Sequence, residues 1–584
     1  MGAKPRVVYV VHNFPPEVTA GTELHTLWLA HGLSRNYDIY VFTRTPDPKM
    51  EEYSVRDETF QGLKVRRVKV TNSDWVNPSD FYLNSRIDRI FAAYLDQVQP
   101  SLVHIHHTVG LSAGIVEEAV ARGIPTILQL RDFFYMCEMV HLRTASNRLC
   151  DGPLDGKKCA GCIAAESKPH LPRDLFNNDS ALFENAGIDR TKYMKTLLTL
   201  PDIVIAPSAF VKEKFLEFGV PPSKMLVSPD GVRTWRLAKR RRKRPHARIV
   251  FGYLGNIFHH KGLHTLIEAF RTLDQKKSEL EIYGEARDTE LARNLKMSAK
   301  NLRVKFKGAY SERQLPTILS NLDVLVHPSI VHESYSMVIH EALGAKVPVI
   351  VSDIPAQKDA VRNNLDGFHF HVEDSQDLAR KMRLMTENPQ KLMQFRRNIP
   401  AVRSITDQVQ DFRKLYRKSI RGPRRDADRN NLLTKLRVIR QGIDTKTFQF
   451  LIGIRQRSSG EAADFLKTLL VIYDSRLDLQ EAFPEVRSGD LDGLINWAFN
   501  ILRGRSSDSF DALASSASRP LFSSLQTLGN ELQLKEAELV SIKSSVGYRL
   551  TRFYGGLIDY LFPDNTMRGR FKKRVKKRLL PWSK

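Results

Sequence analysis

At 584 residues, with 42% apolar and 27% charged side chains, the chain is too long for one core and too apolar to be disordered, so three or four domains are expected. Its formal net charge of +25 points to nucleic acid, anionic lipid or acidic polymers as partners without choosing among them. No apolar run reaches the length of a membrane span, and the N-terminus runs straight into a strand with no secretory leader, so a cytoplasmic protein is expected.

Residues 6–12 (RVVYVVH) form the first continuous apolar β run. A loop with Pro15, Pro16 and Gly21 follows, then an amphipathic helix to about residue 35. Residues 39–43 read as a second strand, and 65–70, 102–106, 126–130 and 203–206 repeat the pattern with helical stretches between them. The pattern breaks over 233–248, where Lys239 to Arg244 read KRRRKR, and resumes at 249–254, 280–284, 304–308, 324–327 and 349–352. Such alternation predicts an α/β protein with two consecutive doubly wound parallel sheets.

Beyond Tyr416 the alternation ends, and residues 425–520 read as helices with polar breaks. From Leu521 the positions Leu525, Leu528, Leu532, Leu539, Ile542 and Val546 keep a 4-3 spacing that only Lys535 interrupts. A short coiled coil over 521–546, and through it a homo-oligomer, is one reading; docking on the preceding helices is the other. Leu550, Phe553, Tyr554, Leu557, Ile558 and Leu561 then form an apolar stripe, and RGRFKKRVKKR (568–578) follows. An apolar face beside a cationic patch suits reversible attachment to an anionic membrane surface, against the plainer reading of a docked helix with a solvated tail.

Two segments carry chemistry. FGYLGNIFHHKGLHTLIEAF (251–270) ends a strand at Gly255 and opens a helix near Gly262, leaving Lys261 at a strand-to-helix turn, where a phosphate-binding cation belongs. HESYSMVIHEALGAKVPVIVSDI (332–354) places Glu333 and Glu341 with seven residues between them around a helix start marked by Ser334 and Ser336. That start exposes unpaired N–H groups and the positive end of a helix dipole. Glu341, two turns on, is placed to accept hydrogen bonds from neutral hydroxyls such as those of a ribose.

All four cysteines, Cys137, Cys150, Cys159 and Cys162, fall within 26 residues with the spacing C-x12-C-x8-C-x2-C. In a reducing compartment this favours a structural Zn²⁺ over disulfides, with buried unliganded thiols and redox chemistry as the other readings.

Over roughly residues 6–417 these landmarks resemble the retaining glycosyltransferases of family 4, with their two-Rossmann GT-B fold. Besides Lys261 and the Glu pair, the likeness rests on PPEVTAGTELHTLWLAHGLSR with Gly21, on LVHIHHT with His104 and His106, and on IAPSAFVKEKFLEFGVPPSKMLVSPDGV (205–232). LEIYGE with Gly284, VKFKGAY with Gly308, DVLVHPS and NLDGFHF with Gly367 complete the ordered set. Cys-bearing insertions are found in some bacterial members, which suggests a loop that shapes acceptor binding.

The resemblance implies two Rossmann-like domains facing across a cleft. These are an acceptor domain over 1–235 with the cysteine insertion at about 137–162, a basic linker over 236–248, and a donor domain over 249–417. A helical extension over 418–520 and the coiled-coil candidate with its basic tail over 521–584 follow. It implies a sugar transferred from a nucleotide-sugar donor (UDP- or GDP-linked) to a glycan or lipid-linked acceptor, at the inner face of the cytoplasmic membrane and in surface polysaccharide synthesis. Lys261, the helix start at Ser334, Tyr335, Ser336 and Met337, and the backbone near Gly21, Gly255 and Asn256 would neutralise the diphosphate, so no catalytic metal is expected. Glu341 would hold the ribose, Glu333 would face the donor sugar, and His106 would position the acceptor hydroxyl.

Three positions depart from the family's pattern. Asn256 stands where an Arg is common, Arg131 precedes Asp132 where a His is common, and Lys346 stands near Pro348 where a Gly is common. The rivals to a transferase are another GT-B enzyme, such as an epimerase or phosphorylase, and a non-catalytic scaffold that binds membrane or nucleic acid.

Overall fold

The computed structural model describes residues 3–71, 78–167, 180–234, 248–286, 288–422 and 429–443. The coiled-coil candidate, the amphipathic basic tail, the KRRRKR cluster and most of the 425–520 extension lie outside the described residues. Two α/β domains together make one compact unit spanning Met1–His170 and Asp179–Arg440.

The first domain begins with β1 (Arg6–Val10), α1 (Gly21–Leu33), β2 (Asp38–Thr45), β3 (Val55–Phe60) and β4 (Leu63–Lys69). It continues through α2 (Ser85–Val98), β5 (Leu102–Ile105), α3 (Gly114–Ala121), β6 (Thr126–Gln129), α4 (Ala160–Ser167) and α5 (Ser180–Leu197). β7 (Ile203–Ala206), α6 (Ala209–Phe218) and β8 (Met225–Val227) close it. Its eight strands run in the order β3-β4-β2-β1-β5-β6-β7-β8. Every pairing is parallel except β3 with β4. Helices cover both faces, so the central strands are buried on both sides and read as unbroken apolar runs. β3, VRDETF, has no such run: it is a charged edge strand with alternating exposure, the usual guard against edge-to-edge pairing.

The second domain opens with β9 (Ile249–Leu254), α7 (Leu263–Arg271), β10 (Ser278–Tyr283), α8 (Thr289–Ser298), β11 (Val304–Gly308) and α9 (Leu315–Asn321). It goes on through β12 (Val324–His327), α10 (Met337–Gly344), β13 (Val349–Ser352), α11 (Pro355–Ala360), β14 (Gly367–Phe370), α12 (Ser375–Glu387) and α13 (Pro389–Asn398). The six strands are all parallel, in the order β11-β10-β9-β12-β13-β14. Strand order reverses beside β1 in the first sheet and beside β9 in the second. Each reversal opens a crevice at the carboxyl ends of the strands, where ligands of such sheets bind.

α14 (Ile405–Arg421) follows the second domain in sequence but packs into the first. Phe412 and Tyr416 belong to the same buried cluster as Val7, Tyr9, Leu29 and Val41. Tyr416 Oη donates to Tyr9 Oη at 2.9 Å and lies 2.6 Å from His104 Nδ1. A domain boundary at 417 therefore does not separate two cores, because residues 405–421 complete the first one. Helical residues 429–440 then lie on the first domain with Leu433, Leu436 and Ile439 buried.

Candidate active site between the two sheets

Four loops meet where the strand orders reverse: those after β1, β5, β9 and β12. The β9 and β12 loops are bound together, since Ile330 N–H donates to the His260 carbonyl at 2.9 Å. Gly262 stands in the left-handed region at φ 71°, and a Cβ there would come within 1.9 Å of the Pro328 carbonyl oxygen. Only glycine fits this crossing, and it fixes Lys261 one residue earlier.

Lys261 Nζ lies 2.7 Å from Glu333 Oε1, and His327 Nε2 is 3.6 Å from the same oxygen. Burial pushes the Glu333 carboxyl up, but Lys261 and His327 outweigh it and hold it well below the usual carboxylate range. Beside this pair, α10 starts at Met337. Its N-cap, Ser336, makes no side-chain hydrogen bond to the first turn, so those N–H groups stay open. The start of α1 faces it: a Cβ on Gly21 would sit 3.6 Å from Met337 Cγ. Two helix N-termini and a lysine thus converge on one spot, which makes an anion seat.

Glu341 is buried about one turn along α10, and its carboxylate accepts no hydrogen bond among the described residues. Burial, with Glu312 nearby, pushes its carboxyl up to about 8. Asn256 is exposed; its carbonyl accepts from Tyr253 Oη at 2.8 Å. Gly255 holds φ 141° where the chain leaves β9, and a Cβ on Gly284 would meet its carbonyl at 1.9 Å.

Ser334 and Tyr335 do other work. Ser334 Oγ donates to the Arg131 carbonyl, its own carbonyl accepts from Ser208 Oγ at 2.9 Å, and Tyr335 Oη donates to the Asp230 carbonyl at 2.8 Å. Both side chains fasten the β12 loop to the first domain, so neither hydroxyl is free for a phosphate. The phosphate seat narrows to the backbone at Ser336 and Met337.

His106 does not open onto the cleft. It is fully buried, with Nδ1 3.1 Å from Arg131 Nη2 and Nε2 without a partner. Burial, His104 and Arg131 drive its pKa well below the ordinary value, so it stays neutral. Its expected contact with an acceptor hydroxyl is replaced by a structural one. Arg131 is buried as well: its Nη1 lies 2.5 Å from Asp230 Oδ2 and its Nη2 lies 2.8 Å from His25 Nδ1. Gln129 donates to Asp230 Oδ1 at 3.0 Å and Gln408 reaches the same oxygen from α14 at 3.3 Å. Beyond the carboxyl ends of β5 and β6, the buried His107 and the half-buried Asp132 lie 2.7 Å apart. His107 Nδ1 accepts from Val109 N–H, so the proton between them sits on Nε2. The pairing of Asp132 with the residue after His106 is a tertiary fact with no local signal.

Lys346 holds φ 59°, which explains why glycine suits this turn. Its Nζ compensates by donating to the Ile399 carbonyl at 2.6 Å.

All four cysteines are free thiols in the insertion between β6 and α5. Burial pushes Cys137 up to about 11 and Cys159 up to about 12, and the neighbouring thiols add to the Cys159 shift. Among the described residues, no group of three or more His, Cys, Asp or Glu side chains is arranged to hold a metal ion. No described helix is long and apolar enough to cross a membrane.

Two family models cover most of the compact unit: the glycosyl transferase 4-like domain matches residues 20–231, and glycosyl transferases group 1 matches residues 236–402. An uncharacterized glycosyltransferase from Methanocaldococcus jannaschii is 21% identical over 395 residues, 64% of this chain and 87% of that protein. Glycogen synthase of Mycobacterium tuberculosis is 27% identical over 402 residues, 66% of this chain and 86% of that one. Among solved structures, sucrose-phosphate synthase from Thermosynechococcus elongatus superposes with a TM-score of 0.54 at 16% identity, over 71% of this chain and 99% of that one. HepE from Anabaena, solved with UDP and glucose, gives 0.50 at 15% identity, over 70% and 99%.

Proposed function

Since this chain is a glycosyltransferase of the family 4 type with the GT-B fold, we propose that it moves a sugar from a nucleotide-sugar donor to a glycan or lipid-linked glycan, with retention at the anomeric carbon. The carrying observation is the anion seat, where Lys261, the open first turn of α10 and the start of α1 at Gly21 converge. Departure of a nucleoside diphosphate places negative charge there, and positive groups fixed beforehand lower the barrier without reorganising. This supports a metal-independent reaction, because the protein's own groups supply the stabilisation. Uridine in the HepE complex supports UDP as the carrier.

In this reading Glu341 accepts from the ribose hydroxyls, and Glu333 turns from Lys261 to the transferred sugar once phosphate takes over the lysine. The transition state is oxocarbenium-like, and the leaving phosphate helps to remove the acceptor proton on the same face. The His107–Asp132 pair, beyond the carboxyl ends of β5 and β6, replaces His106 as the acceptor-side polar group. A surface-polysaccharide role and attachment to anionic membrane through the C-terminal tail complete the proposal; the family resemblance and the tail support the first, and the tail's apolar stripe and basic run support the second.

A panel of UDP-, GDP- and ADP-sugars in thermal-shift assays tests the reading. One of them should raise Tm, Lys261→Ala should abolish the shift, and transfer should persist in EDTA. No shift with any member overturns it.

A further inference from the structure

The chain leaves β6, turns back on itself and enters the cysteine-bearing insertion through a bend with costly backbone. Val140 and Leu142 hold φ of 65° and 48°. For a β-branched residue this is a true outlier, of the kind that gathers at functional sites. The bend is held from both sides: Phe133 N–H donates to the Val140 carbonyl at 2.9 Å and Cys150 N–H to the Leu142 carbonyl at 2.8 Å. His141 lies between these two anchors, and its own N–H closes on the Met139 carbonyl at 2.7 Å.

What the bend achieves is to carry His141 across to the second domain. Its ring centroid lies 5.0 Å from that of His260, the residue before Lys261. The charged groups that act on it are Lys261, Glu333, Asp132 and Arg143. A side chain of the first domain therefore stands among the groups of the anion seat and the groups of the acceptor-side pair. These two sets have to be bridged by the sugar in flight.

We propose that His141 is a positioning and specificity-determining residue that hydrogen-bonds the transferred sugar of the nucleotide donor, with the cysteine-bearing insertion as its mount. This rests on the nucleotide-sugar reading above. Chemistry favours the sugar over the diphosphate. Burial and the nearby Lys261 lower the pKa of His141, so its ring is neutral, with one N–H donor and one lone pair. That set matches a hydroxyl, which both gives and accepts, better than a dianion already met by Lys261 and two helix starts.

The test compares the wild-type full-length chain with His141→Ala and His141→Gln. The probes are UDP, GDP and ADP alone and UDP-glucose, GDP-mannose and ADP-glucose, with affinity read by calorimetry and kcat and KM for donor hydrolysis read in parallel. In His141→Ala, the nucleoside diphosphate that binds the wild type should keep its affinity within about twofold, while its sugar conjugate should weaken about tenfold, equivalent to ~1.4 kcal/mol. The preference among sugars should flatten, and His141→Gln, which keeps a donor and an acceptor, should recover part of the loss. If His141→Ala does not fold, His141→Gln carries the comparison, and an altered sugar preference at unchanged diphosphate affinity supports the proposal. Equal conjugate affinity in wild type and both variants overturns it and leaves the transferase reading standing. Loss of diphosphate and conjugate affinity in the same proportion also overturns it, since that marks a merely structural role. Wild-type protein that binds none of the six probes overturns the nucleotide-sugar reading, and this inference with it.

Discussion

Lys261 Nζ and Glu333 Oε1 lie 2.7 Å apart, so the cation placed for a phosphate is already matched by the carboxylate placed for a sugar. A phosphate entering the seat must compete with Glu333 for the lysine, and the displaced carboxylate is then free for the donor's hydroxyls. Binding and orientation are coupled through one ion pair.

This coupling gives opposite signs for its two halves. Lys261→Ala should weaken nucleoside diphosphate binding by more than about tenfold, because the only compensation is from helix dipoles. Glu333→Gln should tighten diphosphate binding by up to about fivefold, the scale of a partly exposed ion pair, while donor turnover falls. Calorimetry with UDP or GDP and a hydrolysis assay read the two. Weaker diphosphate binding in Glu333→Gln would show that the pair does not compete.

Glu341 predicts a proton balance. Its carboxyl titrates at about 8 in the folded chain against an ordinary value of 4.5. Between these values the folded chain holds a proton that the unfolded chain has lost, so the stability this group contributes is full below pH 4.5, declines as pH rises, and levels off above about 8. Glu341→Gln should flatten that decline in a Tm series from pH 5 to 8.5. A ribose held by the ionised carboxylate must expel the proton. Nucleotide binding near pH 7 should therefore release a proton and strengthen up to about pH 8. Calorimetry in buffers of different ionisation enthalpy reads this, and binding with no proton release removes Glu341 from the ribose.

Arg131 is a fully enclosed cation whose main partner is Asp230. Arg131→Ala leaves that carboxylate buried with His25 and two amide side chains, and should cost about 3–5 kcal/mol in a denaturant titration. The double variant Arg131→Met with Asp230→Asn should recover much of the loss, because no unpaired buried charge remains. A single variant within about 1 kcal/mol of wild type would show that the amides suffice.

Arg440 holds residues 429–440 to the first domain. Its Nη2 lies 2.6 Å from Asp88 Oδ2 and its Nη1 3.5 Å from Glu117 Oε1, while Tyr193 Oη donates to Glu117. Arg440→Ala strands two buried carboxylates and should cost about 3–5 kcal/mol. Arg440→Lys should restore only part, since an ammonium cannot reach both acids as a guanidinium fork does. Limited proteolysis within 429–440 should speed up in the same order.

The strands of both sheets that are buried on two faces are legible in the chain, because an unbroken apolar run has few other uses: 203–206, 249–254, 324–327 and 349–352 coincide with the observed strands. β3 was not legible, since VRDETF alternates charge with weak apolarity and is defined by its antiparallel partner. Within the site, Lys261 and Glu333 could be read because each sits at a strand-to-helix junction. His106 was misplaced because a histidine ending a strand looks the same in sequence whether it faces a cleft or Arg131. Ser334 looked like a phosphate ligand because nothing local reveals that its hydroxyl meets a carbonyl 203 residues away. His141 had no motif at all; its position depends on two left-handed residues that side-chain pattern does not encode.

The return of α14 to the first sheet has a consequence for how the molecule is made. Tyr416 closes on Tyr9 across 407 residues of sequence, and Gln408 joins the buried network at His25 and Asp230. During synthesis the first domain's core therefore stays open on that side until the whole second domain has been made, and the second domain can close on itself first. Contacts so distant in sequence slow folding and leave apolar surface waiting for its cover. A fragment cut at the linker would be no free-standing acceptor domain but a sheet lacking its last helix. Expressing the two halves separately should yield a soluble first half only when residues 405–421 are supplied with it.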